Sequence, residues 1–84
     1  MTTYVEVIDE IKILIGINQE FANGLAPTAV DLRYSLEYRE TARVLAEFST
    51  LQVGRLKTLA SSVAALGMAN SNEPFDKILE ALEK

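Results

Sequence analysis

The chain has 84 residues, with 12 Asp or Glu against 8 Lys or Arg, and it contains neither Cys nor His. Without Cys there is no disulfide and no thiolate zinc site, and without His the common transition-metal sites lose their usual ligand. The net charge of −4 argues against strong electrostatic attraction to nucleic-acid phosphates. Because 49% of the residues are hydrophobic, we expect a folded chain rather than a disordered one.

A single helical domain over residues 1–84 is the prediction from this length, since so short a chain supports one core. The longest apolar runs, IKILIGI and LASSVAALGMA, fall short of the roughly 20 residues that a membrane span needs. Acidic residues also stand near the N-terminus, where a secretory signal would be basic. We therefore expect a cytoplasmic protein that has no membrane partner.

The first predicted helix spans about residues 3–23. Thr3 and Glu6 have the spacing of a capping box, and apolar residues recur at helical intervals from Tyr4 onward. Asn23-Gly24 is typical of a left-handed helix end. The alternative is a strand, because IKILIGI alternates and is rich in β-branched residues. No partner strand is evident elsewhere in the sequence, and this favours the helix.

The second predicted helix spans about residues 28–66, after a short connector at Ala26-Pro27. At 100° per residue, one series of side chains stays within roughly 40° of a single line. This long stripe comprises Val30, Tyr34, Tyr38, Thr41, Leu45, Phe48, Gln52, Leu56, Leu59, Val63 and Leu66. A break near Ser49–Gly54 is the alternative, but the stripe keeps its phase there and favours one continuous helix. Gly67 is predicted to end it.

The third predicted helix spans about residues 73–83 and follows a polar loop. Pro74 suits its first turn, and its apolar side carries Phe75, Ile78, Leu79 and Leu82. The predicted fold class is therefore all-α, in the order helix, long helix, short helix.

Catalytic chemistry finds little support in the sequence. The serines have neither a His to activate them nor a Cys to replace them as nucleophile, and the four glycines are too scattered for a phosphate loop. Neighbouring carboxylates such as Glu37 and Glu40 are typical of a solvated helix surface. We expect no enzyme, no cofactor and no metal.

Surplus apolar surface is the most informative feature. Ile13 and Ile17 project opposite the main apolar side of the first helix, and Leu32 and Leu36 project opposite the long stripe. One short chain has too little mass to cover all of them, so we expect a coiled-coil-like helical bundle completed by homodimerisation. The predicted association surface comprises Ile13, Ile17, Leu32, Leu36, Phe75 and Leu79. A compact four-helix monomer, broken near Ser49, is the alternative.

The resulting functional hypothesis is a non-enzymatic protein-binding module that associates with itself and with a protein partner, as an adaptor, regulator, inhibitor or assembly factor. A helix-turn-helix-like DNA-binding regulator is one alternative, because a helix, Gly67 and another helix follow one another. Its would-be recognition helix is mainly acidic, however, which makes nucleic acid an unfavourable partner. A structural component of a phage or other assembly is a further alternative.

Overall fold

A computed structural model describes residues 3–70 and 72–83, and it contains three helices. These are α1 (Tyr4–Ala29), α2 (Leu36–Asn70) and α3 (Phe75–Glu83). The described residues include no strand. The all-α prediction and the order helix, long helix, short helix are confirmed. In the described segments no helix combines the length and apolar character needed to cross a bilayer.

The beginning of α1 follows the capping prediction, whereas its end does not. The Glu6 backbone N–H donates to Thr3 Oγ1 at 3.1 Å, and the Thr3 N–H donates to the Glu6 carboxylate at 3.4 Å. The predicted end at Asn23-Gly24 is wrong, because Gly24 does not adopt a positive φ and the helix continues through Pro27 to Ala29. Pro27 lies in the last turn, where the loss of one backbone hydrogen bond disturbs few others.

The connector is longer than predicted, and α2 begins at Leu36 rather than near residue 28. Arg33 donates its backbone N–H to Asp31 at 3.0 Å, and the two side chains pair at 2.6 Å. Ser35 then caps α2, since its hydroxyl accepts from the Tyr38 N–H at 3.2 Å. These polar bonds turn the chain before the second helix starts.

One uninterrupted α2 passes through Gly54, so the continuous-helix prediction is confirmed and the break near Ser49–Gly54 is not found. The predicted stop at Gly67 is wrong, because α2 continues to Asn70. Gly67 is buried, and a Cβ placed there would lie 2.9 Å from Tyr4 Cγ. Its role is to let the first turn of α1 approach α2 closely.

α1 and α2 form an antiparallel hairpin whose buried side chains alternate at spacings of four and three. We call these residues the seam. They are buried or partly buried at Tyr4, Ile8, Ile11, Ile15, Asn18, Ala22, Leu25 and Ala29 on α1, and at Ala42, Ala46, Ser49, Val53, Leu56, Ala60, Val63 and Gly67 on α2. A period of 3.5 residues is that of a left-handed coiled coil. The hairpin therefore packs along the whole of α1.

The long stripe of α2 is not the side that α2 packs against α1, contrary to the sequence interpretation. Only Leu56 and Val63 belong to both the stripe and the seam. The remaining seam positions of α2 are mostly Ala, Ser and Gly, which allow the helix backbones to approach closely. Tyr34 and Tyr38 stack on each other at a ring distance of 4.9 Å and stay exposed. Most large side chains of the stripe are consequently left outside.

α3 closes one end of the hairpin. Ile78 and Ala81 join Ile8 and Ala64 in a buried cluster, in which Ile8 and Ile78 are the largest fully buried side chains. Just before α3, the Glu73 carboxylate accepts from the backbone N–H groups of Tyr4 at 2.8 Å and Val5 at 3.2 Å. The segment leading into α3 thus caps the beginning of α1.

Replacing this capping carboxylate should loosen both helices. We expect Glu73→Ala to lower the free energy of unfolding by about 1 kcal/mol, the usual range for a lost N-terminal cap. Urea unfolding measures the loss, and amide hydrogen exchange should quicken at Tyr4 and Val5. Glu10→Ala is the matched control, since Glu10 is exposed within α1. An equal loss in both variants would contradict the capping role.

The molecule is an elongated slab of 55 × 21 × 15 Å. Its radius of gyration is 17.0 Å, whereas a compact domain of this length would have about 12 Å. Its accessible surface is 6017 Å², against about 5,000 Å² for a compact monomer of 9.3 kDa. The chain therefore exposes roughly 1,000 Å² more than a globular protein of its mass.

Candidate protein-interaction surface

The α1–α2 hairpin has two broad faces, and α3 covers part of one. Val5 and Met68 pack on the cluster that α3 completes, and Lys12 Nζ donates to the Ala81 carbonyl at 2.9 Å. Counted at 100° per residue, these three side chains are rotated from the seam in the same direction about their helix axes. They identify the α3 side of the hairpin.

The opposite face carries large apolar side chains over most of its length. On both helices they are rotated roughly 80–140° from the seam about the helix axis, in the direction opposite to the α3 side. We call this surface the open face and define it by Leu14 and Phe21 of α1 and by Leu45, Phe48, Leu59 and Leu66 of α2. Their exposed fractions lie between 40% and 57%. Contiguous exposed apolar surface of this kind marks interaction sites in proteins.

The centre of the open face contains no charged residue. On both α1 and α2, every Asp, Glu, Lys and Arg projects outside the sector that holds five of the six apolar side chains. Glu10 and Arg55 stand at its outer margin, at about the angle of the sixth, Phe48. An apolar centre with charges confined to the rim is the usual composition of a protein–protein interface.

Two amides lie near the middle of the hairpin, Asn18 in the seam and Gln52 on the open face. Counting along the helices from the contact of Tyr4 with Gly67 places Asn18 and Gln52 at about the same height, and both are partly buried. Asn18 Nδ2 donates to the Leu14 carbonyl at 2.9 Å. The side-chain amide of Gln52 makes no hydrogen bond within residues 3–70 and 72–83. It is therefore available to a partner.

Five of the six residues predicted to form the association surface are exposed, and these five do not form one patch. Ile13 lies on the back of α1, Ile17 at the outer margin of the open face, Leu32 in the connector and Leu36 at the start of α2. Leu79 is on α3, at the opposite end of the hairpin from the connector. Leu32 is the most exposed of them, at 82%. The side chain of Phe75 lies outside the described part of the structure.

The open face is the surface that sequence reasoning missed. One series of α2 repeats every seven residues and comprises Tyr38, Leu45, Gln52, Leu59 and Leu66. From the sequence alone, its hydrophobicity predicts packing within the chain. A parallel signal was present in the neighbouring run of Ala, Ser and Gly, which also follows a heptad pattern. Both patterns together would have indicated two packing surfaces on α2.

One cavity of the molecule lies where α1, α2 and α3 meet. It measures about 480 Å³ and is lined by polar and apolar residues alike: Lys12, Ile15, Gly16, Gln19, Lys57, Ala60, Ser61, Leu82 and Glu83. Among the described residues, no group of three or more acidic side chains is close enough together to hold a metal ion. Within the described residues, Ser61 makes no hydrogen bond to a Lys or Glu side chain of this lining.

The displaced pKa values belong to exposed ion pairs, none of which lines that cavity. Hydrogen bonds from Arg33 lower the pKa of Asp31, and a hydrogen bond and the charge of Arg43 lower that of Glu40. Since both pKa values are lowered on folding, any stability from these pairs is present above the ordinary carboxyl pKa. It is lost as the pH falls through the lowered value. These ion pairs lie on the surface of the connector and of α2.

The exposed charges of α3 are unfavourable for binding phosphates. Asp76, Glu80 and Glu83 are exposed beside Lys77, while Ile78 is held in the core cluster. A recognition helix in the helix-turn-helix manner needs a basic or polar outer side. The DNA-binding alternative therefore gains no support from this helix.

Comparisons with protein-family models, with curated proteins and with solved structures found no match for this chain.

Proposed function

We propose that this protein is a non-catalytic helical binding module that acts through self-association, with a homodimer as its basic unit. The open face is the observation that carries the proposal. It joins six large apolar side chains from two helices, and its charges stand only at the margin. Covering such a surface with a partner would stabilise the complex by roughly 25 cal/mol for each Å² of apolar surface removed from water.

The size of the surplus surface agrees with a dimer. The excess of roughly 1,000 Å² over a compact chain is close to the 800 Å² or so that each partner buries in a standard interface. Two slabs that stack through their open faces would form a four-helix cross-section. The thin, elongated chain thereby gains the second layer that a helical core needs.

A protein partner is the second part of the proposal. In a dimer formed through the open faces, Ile13 on the back of α1 and Leu32 in the connector would stay accessible. Exposed apolar residues at such positions suit an adaptor, regulator, inhibitor or assembly factor, which must hold another chain while its own dimer stays intact. The residues predicted from the sequence would then serve the partner rather than the dimer.

Light scattering on a sizing column tests the self-association. We expect a mass twice the 9.3 kDa of one chain at micromolar and higher concentrations, falling towards 9.3 kDa on extreme dilution. Circular dichroism on the same samples reports whether the helices persist. A helical chain that stays at the mass of one copy at every concentration would contradict the proposal.

A further inference from the structure

We infer that the second copy lies on the open face with its α2 antiparallel to the first α2, related by a two-fold axis that passes beside Gln52. This inference rests on the proposed self-association and specifies its geometry. The occupant, the orientation and the register each follow from features of α2.

The register follows from the symmetry of the seven-residue series. Leu45 and Leu59 lie seven residues before and after Gln52, and Tyr38 and Leu66 lie fourteen before and after it. The series therefore has a large side chain at matching distances on either side of Gln52, with Leu at both inner positions. An isologous dimer requires a surface that is complementary to itself, and an antiparallel pair centred on Gln52 meets this requirement. Leu45 then faces Leu59 of the second copy, and Tyr38 faces Leu66.

The supercoil keeps this series on one side of α2. A straight helix drifts about 20° for each heptad, which would carry positions 38 and 66 well apart around the helix. The seam holds α1 and α2 at a period of 3.5 residues, and at that period residues seven apart stay aligned. The series is thus continuous over the 28 residues between Tyr38 and Leu66.

Gln52 provides the polar group at the centre. An amide side chain both donates and accepts, so two Gln52 side chains on a two-fold axis can bond to each other. Each amide is partly buried and makes no hydrogen bond within the described part of its own chain. One polar residue within an apolar heptad series fixes register in coiled coils, because any shifted pairing would bury the amide unpaired.

The charge distribution favours a second copy as the occupant. Two chains that each carry −4 repel each other wherever their acidic surfaces meet. The open face avoids this, since its charges stand only at the margin. A like chain can therefore approach through this face without burying like charges against each other.

Single-cysteine variants test the geometry, because the native chain contains no Cys. We expect Gln52→Cys to form a disulfide-linked dimer under mild oxidation, since each residue 52 faces its own copy. Leu66→Cys should not link to itself, because the two residues 66 would stand about 42 Å apart along the antiparallel helices. Non-reducing gel electrophoresis separates the linked and unlinked chains.

A mixture of two variants provides an independent test. Leu45→Cys chains and Leu59→Cys chains should link to each other when mixed and should link poorly when oxidised alone. Within one chain these positions are about 21 Å apart, too far for an internal disulfide. The mixed disulfide is therefore a product of antiparallel pairing even if Gln52→Cys weakens the dimer.

Each contrary result overturns a different part of the proposal. Efficient self-linking of Leu66→Cys would show parallel α2 helices and overturn the antiparallel geometry. A dimer by light scattering that links neither at residue 52 nor between residues 45 and 59 would overturn the use of this face while self-association stands. A helical chain at the mass of one copy would overturn the proposed function itself.

Discussion

Leu45→Glu combined with Leu59→Glu should convert the dimer to single chains. The native residues are 40% and 49% exposed in one copy, so the hairpin itself tolerates a longer polar side chain at both positions. In the antiparallel dimer the two introduced carboxylates would face each other across the interface and lose their water. Burying an unpaired charge costs several kcal/mol, which weakens association about a thousandfold or more.

The measurement is the mass by light scattering, with circular dichroism to show that helicity persists. Val44→Glu combined with Leu51→Glu is the matched control, because both residues are 53% exposed and lie on the back of α2. That variant carries the same charge change on the same helix and should stay dimeric. If the control dissociates as readily as the test variant, the net charge rather than the open face governs association.

A third pair separates the open face from the surface predicted by sequence. Leu32→Glu combined with Leu36→Glu places the charges at the connector end of the hairpin, and we expect the dimer to survive. A fall in mass for this pair, with no fall for Leu45→Glu and Leu59→Glu, would transfer the interface to the residues predicted from the sequence.

Gly67→Ala should lower the free energy of unfolding by about 1–3 kcal/mol, the usual cost of overpacking a core. The added methyl group would lie 2.9 Å from Tyr4 Cγ, 3.0 Å from Tyr4 Cβ and 3.1 Å from Ile78 Cδ1. Tyr4 Cβ is fixed by the first turn of α1, so the two helices must separate to admit the methyl group. This cost opposes the gain in helix propensity of about 1 kcal/mol.

Gly54→Ala is the matched control, since Gly54 lies in the same helix and has no atom of another element within 4 Å of the added carbon. We expect it to raise the stability by up to about 1 kcal/mol. Urea unfolding at one fixed protein concentration compares the two variants, because dimerisation links stability to concentration. A gain in both variants would contradict the close approach of α1 to Gly67.

Local sequence signals predicted the helices well where tertiary packing did not oppose them. Thr3 and Glu6 started α1 as a capping box does, and the constant phase of the long stripe identified α2 as one helix. The helix ends predicted at Gly24 and Gly67 are wrong, because packing prevailed over the usual preference of glycine for a left-handed cap. Beyond Gly24, Leu25 and Ala29 continue the seam. At Gly67 the absence of a side chain serves the contact with Tyr4 instead.

The surplus of apolar surface could be predicted from the sequence, but its place could not. α2 has two neighbouring heptad series, one of small residues and one of large residues such as Leu45 and Leu59. Hydrophobicity alone favours the large series as the inner one. The choice depends on how closely two backbones can approach, which is decided by the partner helix and by residues such as Ala60 and Gly67.

Intermolecular nuclear Overhauser effects between isotope-labelled and unlabelled chains test the central claim most directly. In a mixed dimer we expect contacts from the Leu45 methyl groups of one chain to the Leu59 methyl groups of the other. The two residues are about 21 Å apart within one helix, so such a contact can arise only between chains. A dimer whose intermolecular contacts arise only from Leu32, Leu36 or α3, with the open face still in water, would contradict the account.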